Sequence, residues 1–160
     1  MNNNKESELE THSEKKLSIP DLCIGGFELW IYGRQFPHAD DYLDGNWLYV
    51  KARCTADYSV VEVGGPIIHL SELQGFMVEC KQIYDTLEGE AHLRTMEPNV
   101  YLKMTMKSRG RCELFVSITP NHPYQEHSFI FDDLDQSYLP PLIKNLEQIL
   151  DAYPLKGREE

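Results

Sequence analysis

Between positions 71 and 88, apolar residues recur every three or four positions, the spacing that places side chains on one face of an α-helix. Ser71 and Gln74 fit a capping box at the start of this segment, and Gly89 fits the stop after a helix. A helix with one apolar face must pack against an apolar layer, which the rest of the chain has to supply. The predicted face contains Leu73, Phe76, Met77, Cys80, Ile83, Tyr84 and Leu87.

Segments with the two-residue periodicity of β-strands supply that layer. In residues 47–54, small apolar side chains alternate with aromatic and basic ones. Two later runs are joined by Ser108-Arg109-Gly110, a short glycine-containing turn typical of a β-hairpin. The strand-like segments are residues 27–32, 47–54, about 58–63, 101–107, 111–119 and about 126–131.

A second amphipathic helix is predicted at about residues 137–153, with Pro140 and Pro141 in its first turn, where proline is tolerated. Together these elements favour an α+β fold, with a mostly antiparallel sheet of about six strands and two amphipathic helices packed on one face. Because 160 residues with 41% hydrophobic content form one core, we expect a single domain over residues 19–157. Residues 1–18 are polar, and we predict a disordered tail there.

The cysteines and the N-terminal segment indicate the compartment. Four cysteines lie about thirty residues apart, without the close pairing of a zinc site or a redox motif, so we expect reduced and buried thiols. No apolar run near the N-terminus resembles a signal peptide or a membrane span. We therefore expect a cytoplasmic protein.

The charge balance restricts the partners. The chain has 26 acidic and 15 basic residues, which gives a formal net charge of −11. A surface of this sign repels nucleic acid and anionic lipid, and it attracts basic partners. We expect neither nucleic acid nor a membrane as a direct partner.

No set of residues predicts catalysis or metal binding. The chain has no GxSxG elbow, no P-loop and no GxGxxG fingerprint. Residues 38–46 are rich in Asp, but they lack the alternating ligands and distal Glu of a calcium loop, so a solvated turn explains them. His122 and His127 are separated by a turn and have no defined mutual geometry. We predict no enzymatic activity, no catalytic residue, no metal and no cofactor.

The face of the predicted sheet opposite the helices is rich in aromatic residues. Such a face favours a protein interface, or a small-ligand or regulatory module built on Trp30, Tyr32 and Tyr49. Stacking of nucleic-acid bases is the less favoured interpretation because of the net charge. Alternatively, loops cover the rings and form a second small core. The aromatic residues are Trp30, Tyr32, Trp47, Tyr49, Tyr101 and Phe115.

The order of motifs over residues 24–157 resembles the WapI family of bacterial immunity proteins. The resemblance rests on three short motifs in a consistent order, with an amphipathic helix between the second and third, and two strands and a closing helix at the end. The motifs are Gly33-Arg34-Gln35-Phe36-Pro37, Asn46-Trp47-Leu48 and Glu97-Pro98-Asn99.

The resemblance implies a cytoplasmic antidote that binds the toxic C-terminal domain of a polymorphic, contact-dependent toxin, commonly a nuclease. Because a nuclease needs a basic cleft, an acidic protein would neutralise it by occluding its active site. The acidic loops are accordingly the candidate contacts, although such loops also serve solubility. The candidate residues are Asp40, Asp41, Asp44, Asp132, Asp133 and Asp135, together with Trp30, Tyr32 and Tyr49 of the aromatic face. The oligomeric state stays open.

Overall fold

The computed structural model describes residues 19–159 and confirms the α+β class. The strands number eight instead of about six, and they form two antiparallel sheets of four. The predicted tail, residues 1–18, lies outside the described residues. The boundaries predicted for the domain therefore remain predictions.

The first sheet contains four strands in the order of the chain: β1 (Leu22–Ile24), β2 (Phe27–Arg34), β3 (Trp47–Ala56) and β4 (Ser59–His69). β1 has only three residues, too few to show a periodicity. β4 is longer than the strand predicted at about residues 58–63, because it pairs with β3 along its whole length.

Helix α1 covers Leu70–Thr86 and follows β4 without a loop. Its capping box consists of His69 and Glu72, so the pairing of Ser71 with Gln74 was wrong by two positions. The helix ends at Leu87, which adopts the left-handed conformation usually taken by glycine. Of the predicted apolar face, the buried members are Leu73, Phe76, Cys80 and Ile83, whereas Tyr84 and Leu87 are exposed.

The second sheet contains β5 (Glu90–Arg94), β6 (Val100–Met106), β7 (Arg111–Asn121) and β8 (Gln125–Asp135), again in chain order. The predicted turn between β6 and β7 is confirmed at Ser108–Gly110. A short 3-10 turn, Gln136–Tyr138, leads into helix α2, Leu139–Ala152, whose first turn contains both prolines as expected.

One continuous core joins both sheets and both helices. Helix α1 packs against α2 and β5, α2 packs against β1, and β4 meets β7. Burial of a side chain as large as Phe76 stabilises the fold by roughly 1.5–3 kcal/mol. Three cysteines are buried, but Cys23 is exposed, so the expectation of four buried thiols was wrong for that residue.

The two-sheet arrangement divides the predicted aromatic face. Trp30, Tyr32, Trp47 and Tyr49 belong to the first sheet, whereas Tyr101 and Phe115 belong to the second. No helix among residues 19–159 is long and apolar enough to cross a membrane.

Candidate partner-binding site

The acidic loop, residues 36–46, connects β2 to β3 and carries three of the candidate carboxylates. Arg34, at the end of β2, anchors its base. One guanidinium nitrogen of Arg34 donates to the carbonyl of Gly45 and to Asn46 Oδ1, the latter at 3.2 Å. The other terminal nitrogen donates to the carbonyl of Pro154, after helix α2. Arg34 thus joins the loop to the C-terminal segment.

Asn46 makes the same connection from inside the protein, where it is fully buried. Its Nδ2 donates to the carbonyls of Tyr42, at 2.7 Å, and Lys156, at 2.9 Å. Its Oδ1 accepts from the backbone N–H of Lys156 at 2.9 Å. A buried amide with these bonds stabilises one loop conformation, because any other conformation would leave buried polar groups unpaired.

Lys156 holds the outer part of the loop. Its Nζ donates to the carbonyls of Pro37, at 2.9 Å, and Ala39, at 2.8 Å. The same nitrogen lies 3.6 Å from a carboxylate oxygen of Asp40. The next residue, Gly157, has a φ of +66°, and a Cβ atom there would lie 2.4 Å from the backbone nitrogen of Tyr42. Only glycine allows the C-terminal segment to approach the loop this closely.

His69 supports the loop from below. Its Nδ1 accepts from the backbone N–H of Ser71, so its Nε2 carries the proton and donates to the carbonyl of Tyr42 at 3.1 Å. Its ring lies 5.3 Å from the rings of Tyr42 and of Trp47. Thus His69 caps α1 and positions the loop.

The tethered backbone presents the acids to solvent. The side chain of Asp40 is 95% exposed, and Asp41 and Asp44 are also exposed. Asp41 accepts from the backbone N–H of Asp44 at 2.8 Å, which fixes the turn between them. Leu43, 58% exposed, stands between these carboxylates. The loop therefore offers three carboxylates and an apolar side chain on an ordered backbone.

The second acidic group lies at the end of β8. Asp132 and Asp133 are exposed. Asp135 caps the turn that precedes α2, because its carboxylate accepts from the backbone N–H of Ser137 at 2.8 Å. Hydrogen bonds from the hydroxyl and the backbone N–H of Ser137 lower the pKa of the Asp135 carboxyl. Asp135 therefore has a structural role, whether or not it also contacts a partner.

The two acidic groups lie at opposite ends of α2. Asp135 precedes its N-terminus, whereas the acidic loop is tied to residues that follow its C-terminus. A helix of 14 residues is about 21 Å long. The structure therefore does not bring the six aspartates into one cluster. A partner must cover both ends of α2 to contact both groups.

Trp30 lies beneath a layer of charged side chains and is only 2% exposed. Lys51 Nζ lies 4.4 Å and the Arg53 guanidinium carbon 4.8 Å from the centre of its ring. Glu28 accepts from Arg53 at 2.7 Å, and Glu62 lies 3.6 Å from Lys51. The indole is therefore covered on this face and is not available to a partner.

Tyr32 and Tyr49 are adjacent on the same sheet, with ring centres 6.4 Å apart. Burial, followed by the negative charges of Glu62 and Asp21, raises the pKa of Tyr32. Tyr49 is on the exposed side of the pair. An open groove of about 550 Å³ lies elsewhere, beside the acidic loop, lined by Asp41, Tyr42, Leu43, Gly157 and Arg158.

Sequence reasoning identified the exposed acids but missed the residues that hold them. Arg34, Asn46, His69 and Lys156 are single polar residues in four different segments. The one sequence feature that could have indicated a structural role was the position of Asn46, directly after the Asp44-Gly45 turn and before Trp47. Nothing in the sequence shows that the C-terminal segment returns to that turn. Within residues 19–159, no group of three or more His, Cys, Asp or Glu side chains is arranged to hold a metal ion.

Taken together, the fold and the site describe a small α+β domain with an ordered acidic surface. Residues 22–154 match the model of the immunity protein WapI-like family. The chain belongs to this family, and immunity proteins in general neutralise toxins and are not enzymes. Comparison with curated proteins and with solved structures gave no match.

Proposed function

We propose that this chain is a cytoplasmic immunity protein that binds the C-terminal domain of a polymorphic toxin and occludes its basic active site. The proposal rests on the acidic loop. Its carboxylates are exposed, and its backbone is held in one conformation by hydrogen bonds of Asn46 and Lys156. The family supports toxin neutralisation as the general role. The toxin class, a nuclease, follows from the charge argument below.

A nuclease binds phosphates and therefore has a positively charged cleft. A net charge of −11 attracts such a cleft at long range and speeds association. At contact, Asp40, Asp41 and Asp44 take the place of substrate phosphates. Once they are seated, nucleic acid has no access to the catalytic residues.

An ordered loop also reduces the entropic cost of binding. Association usually immobilises interface loops and side chains, at about 0.5–1.5 kcal/mol for each flexible side chain. Here the backbone of the loop is already held by hydrogen bonds from Arg34, Asn46 and Lys156. Leu43 supplies an exposed apolar side chain between the carboxylates, which a partner can bury on contact.

The second acidic group extends the same surface. A standard interface buries about 800 Å² on each partner, which corresponds to a patch roughly 30 Å across. The length of α2 fits within that patch, so one toxin domain can cover the acidic loop together with Asp132 and Asp133. Trp30, beneath its charged layer, has no direct part in this contact, whereas Tyr49 is available at the surface.

A small-ligand or regulatory module on the aromatic face is the weaker alternative. The exposed edge of the Tyr32–Tyr49 pair is the observation that favours it. The charged layer over Trp30 opposes it, because the indole is not available to stack on a ligand.

The proposal is tested with the purified C-terminal domain of the toxin encoded directly upstream. Binding is measured by pull-down, and association rates by surface plasmon resonance. The triple variant Asp40→Asn, Asp41→Asn, Asp44→Asn keeps the shape of the loop and removes its charge. We expect its association rate to fall about tenfold or more at low ionic strength.

A matched control removes the same charge from elsewhere on the surface. Asp57→Asn, Asp85→Asn and Glu88→Gln change three exposed acids outside the acidic loop. For the control variant we expect only a small decrease in the association rate, because its lower net charge weakens the long-range attraction alone. Equal losses in the two variants would show that the loop has no special role, and absence of binding by the unmodified chain would refute the proposed function.

A further inference from the structure

Strand β8 is the outer edge of the second sheet. It runs for 11 residues, Gln125–Asp135, and pairs with β7 on one side. Within residues 19–159, no strand lies on its other side. The side chains of residues 125–128 are exposed on both faces of the sheet. An edge of this kind presents a row of backbone N–H and C=O groups with which an extended chain can pair.

The side chains of β8 determine what can pair with it. Proteins usually protect a long edge with lysine or proline, and β8 contains neither. It carries Glu126, Asp132, Asp133 and Asp135 and contains neither lysine nor arginine. Two copies pairing through β8 would bring four acids from each chain along one ladder, and like charges in such pairs are destabilising. The edge therefore disfavours a second copy and favours a basic strand.

An apolar side chain lies in the middle of this acidic edge. Ile130 is 65% exposed and sits opposite Phe115 in the β7–β8 ladder. The ring of Phe115 lies 6.0 Å from that of Tyr101 on β6. These three side chains form an apolar stripe across the sheet that ends in solvent at Ile130. A strand added to β8 would continue the stripe and cover Ile130.

We propose that β8 accepts an extended basic segment of the partner as a fifth strand of the second sheet. Backbone hydrogen bonds provide the pairing, basic side chains of the segment meet the four carboxylates, and an apolar side chain covers Ile130. The proposal rests on the proposed function, since the segment belongs to the toxin domain. It adds a second contact, made by the backbone, to that of the acidic loop.

Amide hydrogen exchange, read by NMR on the whole chain, distinguishes the two edges of β8. In the free protein, the amides that face β7 should exchange slowly and the alternate amides quickly. Binding of the toxin domain should slow the second set by about a hundredfold or more, because each of these amides gains a carbonyl partner. Slow exchange of both sets in the free protein would overturn the proposal, since the edge would then be covered by this chain or by another copy.

A pair of proline variants tests the same contact by affinity. His127 and Ser128 are adjacent and exposed, so one N–H faces β7 and the other faces outward. We compare His127→Pro with Ser128→Pro. The substitution that removes the N–H facing β7 should lower the melting temperature, whereas the one that removes the outward N–H should leave it unchanged. That variant should bind the toxin domain about tenfold more weakly or worse, because a partner carbonyl is left unpaired.

The matched control is alanine at the same position, which keeps the N–H and should leave Kd nearly unchanged. Equal affinities for the folded proline and alanine variants would show that β8 does not pair with the partner. Binding without protection of β8 would overturn this inference and leave the proposed function in place. Absence of any binding would refute both.

Discussion

Asn46 is a buried polar residue that positions the exposed carboxylates elsewhere in its own loop. Its amide bonds to Tyr42 within the loop and to Lys156, which lies 110 positions further along the chain. The sequence alone gives no indication of this second bond, because nothing local links the two segments. The exposed acids were predictable from composition, whereas the ordered backbone that carries them depends on contacts distant in sequence.

Replacing Asn46 with alanine removes the four hydrogen bonds of its amide and leaves buried partners unpaired. We expect the free energy of unfolding to fall by about 2–3 kcal/mol, measured by urea denaturation. Asn145→Ala, in helix α2, serves as the control and should be close to neutral. Equal effects of the two substitutions would contradict the structural role of Asn46.

The cysteines give a second prediction for single residues. Burial raises the pKa of Cys54 to about 12, and burial also raises the pKa of Cys80 and of Cys112. Only thiolates react with Ellman's reagent, so these three thiols should stay unreactive in the native protein. One thiol per chain, the exposed Cys23, should react within minutes, and Cys23→Ser should abolish that phase. Fast reaction of further thiols would contradict the described burial.

Among the elements, the long periodic ones were predictable and the short ones were not. Helices α1 and α2 and strands β3, β6 and β7 show clear periodicities over seven or more residues. Strand β1 has three residues and β5 has five, so neither carries a readable pattern. The cap of α1 was misplaced because His69 is an unusual capping residue, and Ser71 matched the usual preference better.

The charged layer over Trp30 was missed for a different reason. Alternation along β2 and β3 correctly placed Trp30, Lys51 and Arg53 on one face. The register between the two strands decides whether the cations lie over the ring, and the sequence does not specify that register. The sequence therefore left open whether the indole is exposed or covered, and the structure places it beneath Lys51 and Arg53 of the neighbouring strand.

The contact between α1 and β5 leads to a prediction about pH. Glu79 accepts from the backbone N–H of His92 at 2.7 Å and from Arg94 at 3.0 Å. Burial alone would raise the pKa of the Glu79 carboxyl, but these hydrogen bonds outweigh it, and the pKa is lowered from its ordinary 4.5. The stabilisation of the fold by ionised Glu79 is therefore complete above pH 4.5. It is lost as the pH falls through the lowered pKa that this carboxyl has in the folded protein.

Glu79→Gln should reduce the free energy of unfolding at pH 7 by about 1 kcal/mol, allowing for screening at this partly exposed site. The difference from the unmodified chain should shrink as the pH falls towards 3, measured by thermal unfolding across that range. Glu147→Gln breaks an exposed ion pair with Lys81 and should change stability little at any pH. A difference at Glu79 that does not depend on pH would contradict the ionic role of this residue.

At the scale of the whole molecule, charge and architecture have separate roles. The net charge of −11 is a property of composition and selects basic partners from a distance. The fold then places one acidic group on a tethered loop and the other on an open sheet edge, at the two ends of α2. The family assignment gives the general role of toxin neutralisation, and we propose that these two surfaces make the contact with the toxin.

Titration of the upstream toxin's C-terminal domain with this protein tests the central claim most directly. The nucleic-acid cleavage rate of a fixed amount of the domain is measured as increasing amounts of the folded chain are added. We predict that the rate falls linearly and reaches zero at one molecule of this protein per toxin domain, as tight occlusion of the active site requires. Undiminished cleavage in the presence of a molar excess of the folded chain would contradict the account.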